Sequence, residues 1–339
     1  MKPILIPIQS ALVALAFAMS LGSLAAENRI PDECKTGGFA IGCIAYTFDR
    51  FTLLEALEKT AEAGGRVVEL CAKTKLSKEE RGVAFDYHAS AQTVQKVKDK
   101  LAQCKLKAVT YAVIPFPADE AEARKLFEFA RMMGIRAIVT DPAEPMDLIE
   151  KLVKEYDIMV GFHNHPRQPD SPGYRMWDPN YILSVVKDSD PRIGSCADTG
   201  HWVRSGLKPV DCLRILKGRI ICSHLKDLNE MGPAAHDVPC GTGVADIPGI
   251  LDELKAQLPG QPLHRIRIPL GELLARSSPM HRLCPRLRHR QRLVSPRPVS
   301  PVCLANSCAR PRSGHPTVAV DLGPRNQARS RTGASRSDA

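Results

Sequence analysis

From Gly38 onward the chain alternates short, continuous apolar runs with longer stretches in which apolar residues recur every three or four positions. Continuous runs of this kind suit strands buried on both faces, and the wider spacing suits helices with one buried side. FAIGCIAY is the first such strand. Thr52 then caps a helix that presents Leu53, Leu54, Leu57 and Ala61 on one side and stops at Gly64-Gly65. VVELC is the second strand, a helix opened by Ser90 turns Val94, Val97 and Leu101 inward, and LKAVTYAV is the third strand. The alternation continues through a helix over 119–133, strand IRAIVTDP, a helix over 146–156, strand IMVGFHNHP, a helix over 181–187, strand IGSCADTGH, a helix over 210–216 and strand IICSHLKD. A helix over 247–257 then leads toward an eighth strand.

Seven strand-helix units with an eighth begun predict an α/β fold, a (β/α)8 barrel of parallel strands. A doubly wound open sheet is the competing arrangement. It is disfavoured because no glycine-rich phosphate loop follows the first strand.

Two ends of the chain depart from this pattern. Lys2 precedes an apolar run from Ile4 to about Leu24, followed by the small residues Ala25 and Ala26. That order predicts a secretory signal over 1–26 and export to the periplasm or the medium. The barrel is assigned to 36–257. From 258 to 339 helical periodicity ends and Arg and Pro dominate, as in RLRHRQRLVSPRPVSP. Such a composition predicts disorder. It also fits a slipped reading frame that starts near residues 257–262: shifted by one base, the stretch from Leu263 to Leu273 can encode Ser-Ile-Glu-Tyr-Glu-Tyr-His-Trp-Glu-Asn-Ser. That product is an alternating strand ending in acids, so the chain is expected to lack its native eighth strand and final helix.

The formal charge of +10 belongs to this tail. Residues 263–339 hold 15 Arg and 3 acids, whereas the remainder carries 32 basic against 34 acidic residues. The body of the chain therefore has no nucleic-acid footprint. Of the 11 cysteines, Cys43, Cys71, Cys196 and Cys222 fall in apolar strands, where a free thiol is ordinary. Cys34 and Cys240 are the loop-placed candidates for a bridge in an exported protein. No CxxC pair points to a zinc site.

Chemistry-bearing residues recur where the apolar strands end: Asp141, His163 and His165, Asp198 and His201, then His224 and Lys226. A single strand-end Asp is usually a helix cap and a single His usually a hydrogen-bonded one. Their recurrence around one barrel is what points to a shared polar centre at the carboxyl ends of the strands. Carboxylates and imidazoles together are the donors of a divalent metal site with room for substrate oxygens. Strand alternation puts His163 and His165 on one face, where one can bind metal while the other binds substrate or moves a proton. Asp198 lies three residues before His201, within reach to orient its ring. Lys226 is placed either to stabilise a developing enolate or to pair with Asp227. Glu69 on the second strand is either a polar contact for substrate or an acid satisfied inside the barrel, and Trp177 and Trp202 are aromatic surfaces for a sugar ring or for core packing.

With HNHP, ADTGHW, SHLKD and DVPCGTGVADIP in view, residues 38–257 resemble the xylose isomerase-like TIM-barrel superfamily, its sugar phosphate isomerase/epimerase group and the exported branch of that group. The resemblance implies a divalent metal (Mn, Mg, Zn or Co) bound by an acid, an Asp, a His and a final Glu. Three of these fall on Asp141, Asp198 and His224, with the Glu absent and Asp141 standing where relatives usually carry Glu. It implies proton removal next to a carbonyl or hydroxyl carbon, giving isomerisation or epimerisation, with His165 and the missing Glu as candidate bases; His163 and Lys226 complete the catalytic group read from the residues, and Glu69, His201 and Trp202 are placed near substrate. A metal-dependent dehydratase or lyase and a non-catalytic carbohydrate-binding barrel are the alternatives. The implied partner is a small carbohydrate, with no nucleic acid and no stable membrane span after signal cleavage; a homo-oligomer is left open.

Overall fold

The computed structural model describes residues 30–72, 74–80, 82–141, 143–257 and 267–269. The signal assigned to 1–26 and most of the Arg-rich tail lie outside the described residues.

Seven parallel strands pair in sequence order: β1 (Phe39–Ile44), β2 (Val67–Cys71), β3 (Lys107–Ile114), β4 (Ala137–Thr140), β5 (Met159–His163), β6 (Ile193–Asp198) and β7 (Ile220–His224). They are linked through helices α1 (Leu53–Glu62), α2 (Ala91–Gln103), α3 (Glu120–Met133), α4 (Met146–Tyr156), α5 (Pro179–Val186), α6 (Thr199–Arg204) and α7 (Pro209–Ile215), and α8 (Ile247–Gln257) follows β7. A doubly wound sheet would reverse its strand order at a switch point, and this one does not. The sheet is also curled. Glu69 on β2 reaches His224 on β7 at 2.8 Å, although five strand spacings laid flat would separate them by about 24 Å.

A three-residue strand, β8 (Arg267–Pro269), pairs in parallel with β1, with Arg267 opposite Ala40 and Ile268 opposite Ile41, beside the short antiparallel pairing of Lys35–Thr36 with Phe39 and Ala40. It stands in the eighth position, inside the stretch the sequence reading assigned to a slipped frame. Among the described residues no ladder joins it to β7. Three residues on one ladder make a thin seam compared with the continuous pairing of β1 to β7.

The apolar patterning explains the layers. All residues of β2, β4, β5, β6 and β7 are buried, as expected for strands covered on one side by helices and on the other by the barrel interior. On α1, Leu53 and Leu57 are buried while Leu54 and Ala61 sit half-buried at the edge of the contact. The Thr52 hydroxyl accepts from the Glu55 backbone N–H, and the Glu55 carboxylate accepts from the Thr52 N–H at 3.0 Å, so both ends of the capping box are present. Gly194 on β6 lies against the Arg219 carbonyl at the entry to β7, where a Cβ would overlap that oxygen. Gly194→Ala is expected to cost about 1–3 kcal/mol through overpacking. A urea midpoint equal to that of the parent chain would show that the strands can part without penalty.

Two features were not foreseen. DTGHW, read as a turn after the sixth strand, forms α6, and Asp198 ends β6 while capping that helix. The segment after β7 folds back as a two-residue ladder, Asp227–Leu228 with Asp237–Val238. The eight described cysteines are thiols, Cys34 and Cys240 among them, so the bridge considered for that pair is not formed. Cys34 packs with Ile30, Ala40, Val67 and Val109 at the amino ends of the strands, whereas Cys240 lines the cavity at their carboxyl ends. No helix among the described residues is long and apolar enough to cross a membrane.

Candidate active site

A cavity of about 690 Å³ opens at the carboxyl ends of the strands, lined by His163, His165, Asp198, His201, His224 and Lys226 together with residues of the β1, β2, β3 and post-β7 segments. Its floor is built by register. His224 lies directly opposite Asp198 across the β6-β7 ladder, and His163 lies opposite Cys196, two residues before Asp198. Asn164, the residue after β5, donates to the Asp198 carbonyl at 2.9 Å and accepts from the Asp198 N–H at 2.7 Å. That amide pins β5 to β6 where their functional side chains leave the sheet.

Three donor atoms converge at this point. His163 Nε2 is 3.1 Å from His224 Nδ1, and Asp198 Oδ2 is 3.5 Å from the first and 3.6 Å from the second. His201 Nε2 stands 3.7 Å from the same oxygen. His163, Asp198 and His201 are a set whose ligand atoms lie within 4.8 Å of one another, as metal donors must. Asp198 is fully buried, and its Oδ2 meets the Lys226 ammonium at 2.9 Å but accepts no well-aligned hydrogen bond. A buried carboxylate oxygen without a well-aligned hydrogen-bond donor, beside ring nitrogens of His163, His201 and His224 that become ligand donors when those rings are neutral, fits a cation. The residues present therefore suit a divalent metal.

The charges of these side chains follow from their neighbours. Burial pushes the Asp198 carboxyl up, yet Lys226 and the surrounding imidazoles outweigh it and hold the group well below the usual carboxylate range. Burial likewise depresses His224, but the carboxylates of Glu69 and Asp198 reverse this and push it up to about 9. Burial dominates at His163, lowered to about 4, and at His201, lowered to about 3. His224 is then the imidazolium, giving Nε2–H to Glu69 and Nδ1–H to the neutral His163.

These values make stability depend on pH in two directions. Unfolded histidines titrate near 6.5, so between about 6.5 and 4 the unfolded chain binds protons that folded His163 and His201 refuse, and stability falls with falling pH. The contribution of His224 is complete below about 6.5 and is lost as pH rises toward 9. Chelator-treated protein should show its highest urea midpoint near neutrality and lower ones at pH 5 and pH 9. A midpoint that climbs steadily from pH 5 to pH 9 would remove the imidazolium from this centre.

Other candidates take different places. Asp141 is turned to a second cluster: its Oδ2 is 2.7 Å from His165 Nδ1 and accepts from the Tyr174 hydroxyl at 2.8 Å. The Tyr174 hydroxyl in turn accepts from the His165 backbone N–H at 3.1 Å. With Nδ1 held, the His165 ring is 39% exposed and lines the cavity. Glu69, weighed as a substrate contact, is 0% exposed and is held between the Thr110 hydroxyl and His224 Nε2. Trp202 is fully buried in the core, and Trp177 carries the Arg167 guanidinium over its ring. Lys226 pairs with Asp198 and not with Asp227. Asp227 is spent on the backbone: its carboxylate accepts from Gly241, Gly243 and Ala245 N–H at 2.8–2.9 Å, holding the segment that carries Val238 and Cys240 to the cavity wall. Sequence reasoning missed Tyr174 and Thr110, for which spacing offers no signal. Asn164 was visible inside HNHP, but its role as a strand clasp was not.

Comparison with known proteins bears on this geometry. The family model described as xylose isomerase-like TIM barrel matches residues 57–260. No curated protein matches the chain. Among solved structures, an uncharacterised protein from Parabacteroides distasonis is similar at 28% identity and TM-score 0.53, over 68% of this chain and 90% of that one. A sugar phosphate isomerase/epimerase from the same organism is similar at 16% identity and TM-score 0.50, over 76% and 96%. The latter identity speaks to fold alone.

Proposed function

Because the chain belongs to the xylose isomerase-like TIM-barrel family, we propose that it is a divalent-metal-dependent isomerase or epimerase of a small sugar, acting in an exported form. The observation that carries this reading is the convergence of His163 Nε2, His224 Nδ1 and Asp198 Oδ2 within 3.1–3.6 Å of one another at the floor of an open cavity. His163, Asp198, His224 and His201 are the residues that would hold the ion. When bound, it supplies charge stabilisation for the oxygen of an enediolate-like substrate anion.

The remaining side chains divide the proton work. His165 takes the proton from the carbon next to the carbonyl, because its Nδ1 is engaged by Asp141 and Tyr174 while the ring edge faces the open cavity. Asp141 keeps that ring in one tautomer and orientation. Lys226, 34% exposed beside Asp198, offers N–H donors to substrate hydroxyls. Glu69 orients His224 from behind.

The test is hydrogen exchange in D2O, followed by NMR with a panel of ketoses and aldoses, before and after chelator treatment. Metal-dependent deuterium incorporation at the carbon beside the carbonyl is expected, with a drop of roughly 10²–10⁴-fold in His165→Ala. Sugar binding that ignores chelators, with no exchange at any carbon, would instead identify a carbohydrate-binding barrel. Resequencing the gene across codons 255–285 tests the slipped frame separately, since an unbroken frame there removes that account of the tail.

A further inference from the structure

The resemblance drawn from sequence implies a centre with three carboxylates and one imidazole. The structure assembles a different donor set. Among the described residues, His163, His224 and His201 stand around Asp198 Oδ2, and Asp198 is the carboxylate of that set. Two further acids on or just after the strands are committed elsewhere. Glu69 faces the far nitrogen of His224 and the Thr110 hydroxyl. Asp141 faces His165 and Tyr174.

We propose that this centre selects an imidazole-preferring ion such as Zn²⁺ over Mg²⁺ or Mn²⁺; the inference rests on the metal-dependent reading above and specifies its ion. Three observations carry it. Neutral imidazole nitrogens suit zinc and later transition metals, whereas magnesium and manganese depend on carboxylate and carbonyl oxygens. The Lys226 ammonium, 2.9 Å from Asp198 Oδ2, already balances the single carboxylate. A hard cation held by charge finds little left to bind it. Spacing is the third: the three closest donor atoms are 3.1, 3.5 and 3.6 Å apart, and a tetrahedral ion with bonds of about 2.1 Å separates its ligands by about 3.4 Å.

His224 also has the arrangement of a pre-oriented zinc ligand. Its Nε2 is fixed by a buried carboxylate at 2.8 Å, so Nδ1 points at the other donors. A carboxylate behind the ring in this way sets tautomer and direction at many histidine-metal sites. The Asp198 Oδ2 atom, buried and without a well-aligned donor, is the anchor oxygen.

The experiment uses the full chain, stripped with chelator and reloaded with one equivalent of Zn²⁺, read by X-ray absorption at the zinc edge. Two or three imidazoles in the first coordination sphere are expected, and titrations should show Zn²⁺ binding that excess Mg²⁺ does not displace. In His163→Glu, the ratio of Zn²⁺ to Mn²⁺ affinity should fall by about tenfold or more, since an oxygen donor replaces a nitrogen. A single imidazole at full loading, or displacement of zinc by magnesium, overturns the proposal, and the absorption measurement on the parent chain decides this even if the variant does not fold. If no divalent ion binds stoichiometrically, the metal-dependent reading falls as well. Zinc held by imidazoles with no carbon-hydrogen exchange in any sugar would sink the proposed reaction and leave the ion selectivity standing.

Discussion

Asp198→Ala should lower the unfolding free energy of the metal-free chain by about 3–5 kcal/mol, the cost typical of stripping one partner from a buried charge cluster. Asp198 is fully buried, and its Oδ2 is the common neighbour of Lys226, His163, His201 and His224 at 2.9–3.7 Å. Removing it leaves the His224 imidazolium and the Lys226 ammonium side by side with Glu69 as the nearest counter-charge. The same substitution deletes the Oδ1 cap that accepts from the His201 N–H at 2.9 Å, a smaller loss of about 1 kcal/mol. Asp198→Asn separates the two, because the amide oxygen can still cap α6 while the charge is gone. Urea unfolding of the three chains in chelator should rank them parent, Asn, Ala in falling stability, and both variants should lose divalent-ion binding in calorimetry. A loss below 1 kcal/mol in Asp198→Ala would mean that the cluster is not charged in the way described.

Glu69→Gln is the second large effect, and it acts without touching the cavity. The amide can still accept from His224 Nε2 and exchange a hydrogen bond with Thr110, so packing is kept while the negative charge is removed. His224 should then titrate well below the value of about 9 it holds in the parent chain. Zn²⁺ affinity should weaken about 10–100-fold, as when the carboxylate behind a metal-bound histidine is lost. Histidine NMR titration of the chelated protein and zinc calorimetry measure the two effects independently. An unchanged His224 titration would show that Glu69 does not set the state of that ring.

Much of the architecture was legible before any coordinates. Apolar runs near the observed β1 to β7, helical periodicity between them and the absence of a phosphate loop led to the barrel, because a strand buried on both faces and a helix buried on one leave different spacings in the chain. The candidate centre was partly legible for the same reason. Asp198, His224 and His163 all sit at or beside strand ends, and in a parallel barrel every carboxyl end opens on one face.

The pairing of those residues was not legible. Lys226 had Asp227 as its immediate neighbour and Asp198 28 positions away. The nearer acid was unavailable because three backbone N–H groups of residues 241–245 had already claimed it. Asp141 looked like a ligand by position, yet Tyr174, from the loop after β5, draws it toward His165. Glu69 read as a substrate contact or an acid satisfied inside the barrel, and the fold made it the partner of a histidine on the seventh strand.

The order of strands and helices, the end of the barrel that carries chemistry and most of the titratable residues there were determined by the chain's own periodicity, which local sequence records. Which donor meets which was decided by the curl of the sheet and by competition for each hydrogen bond, since both depend on residues far apart in sequence that only the curled fold brings within about 3 Å.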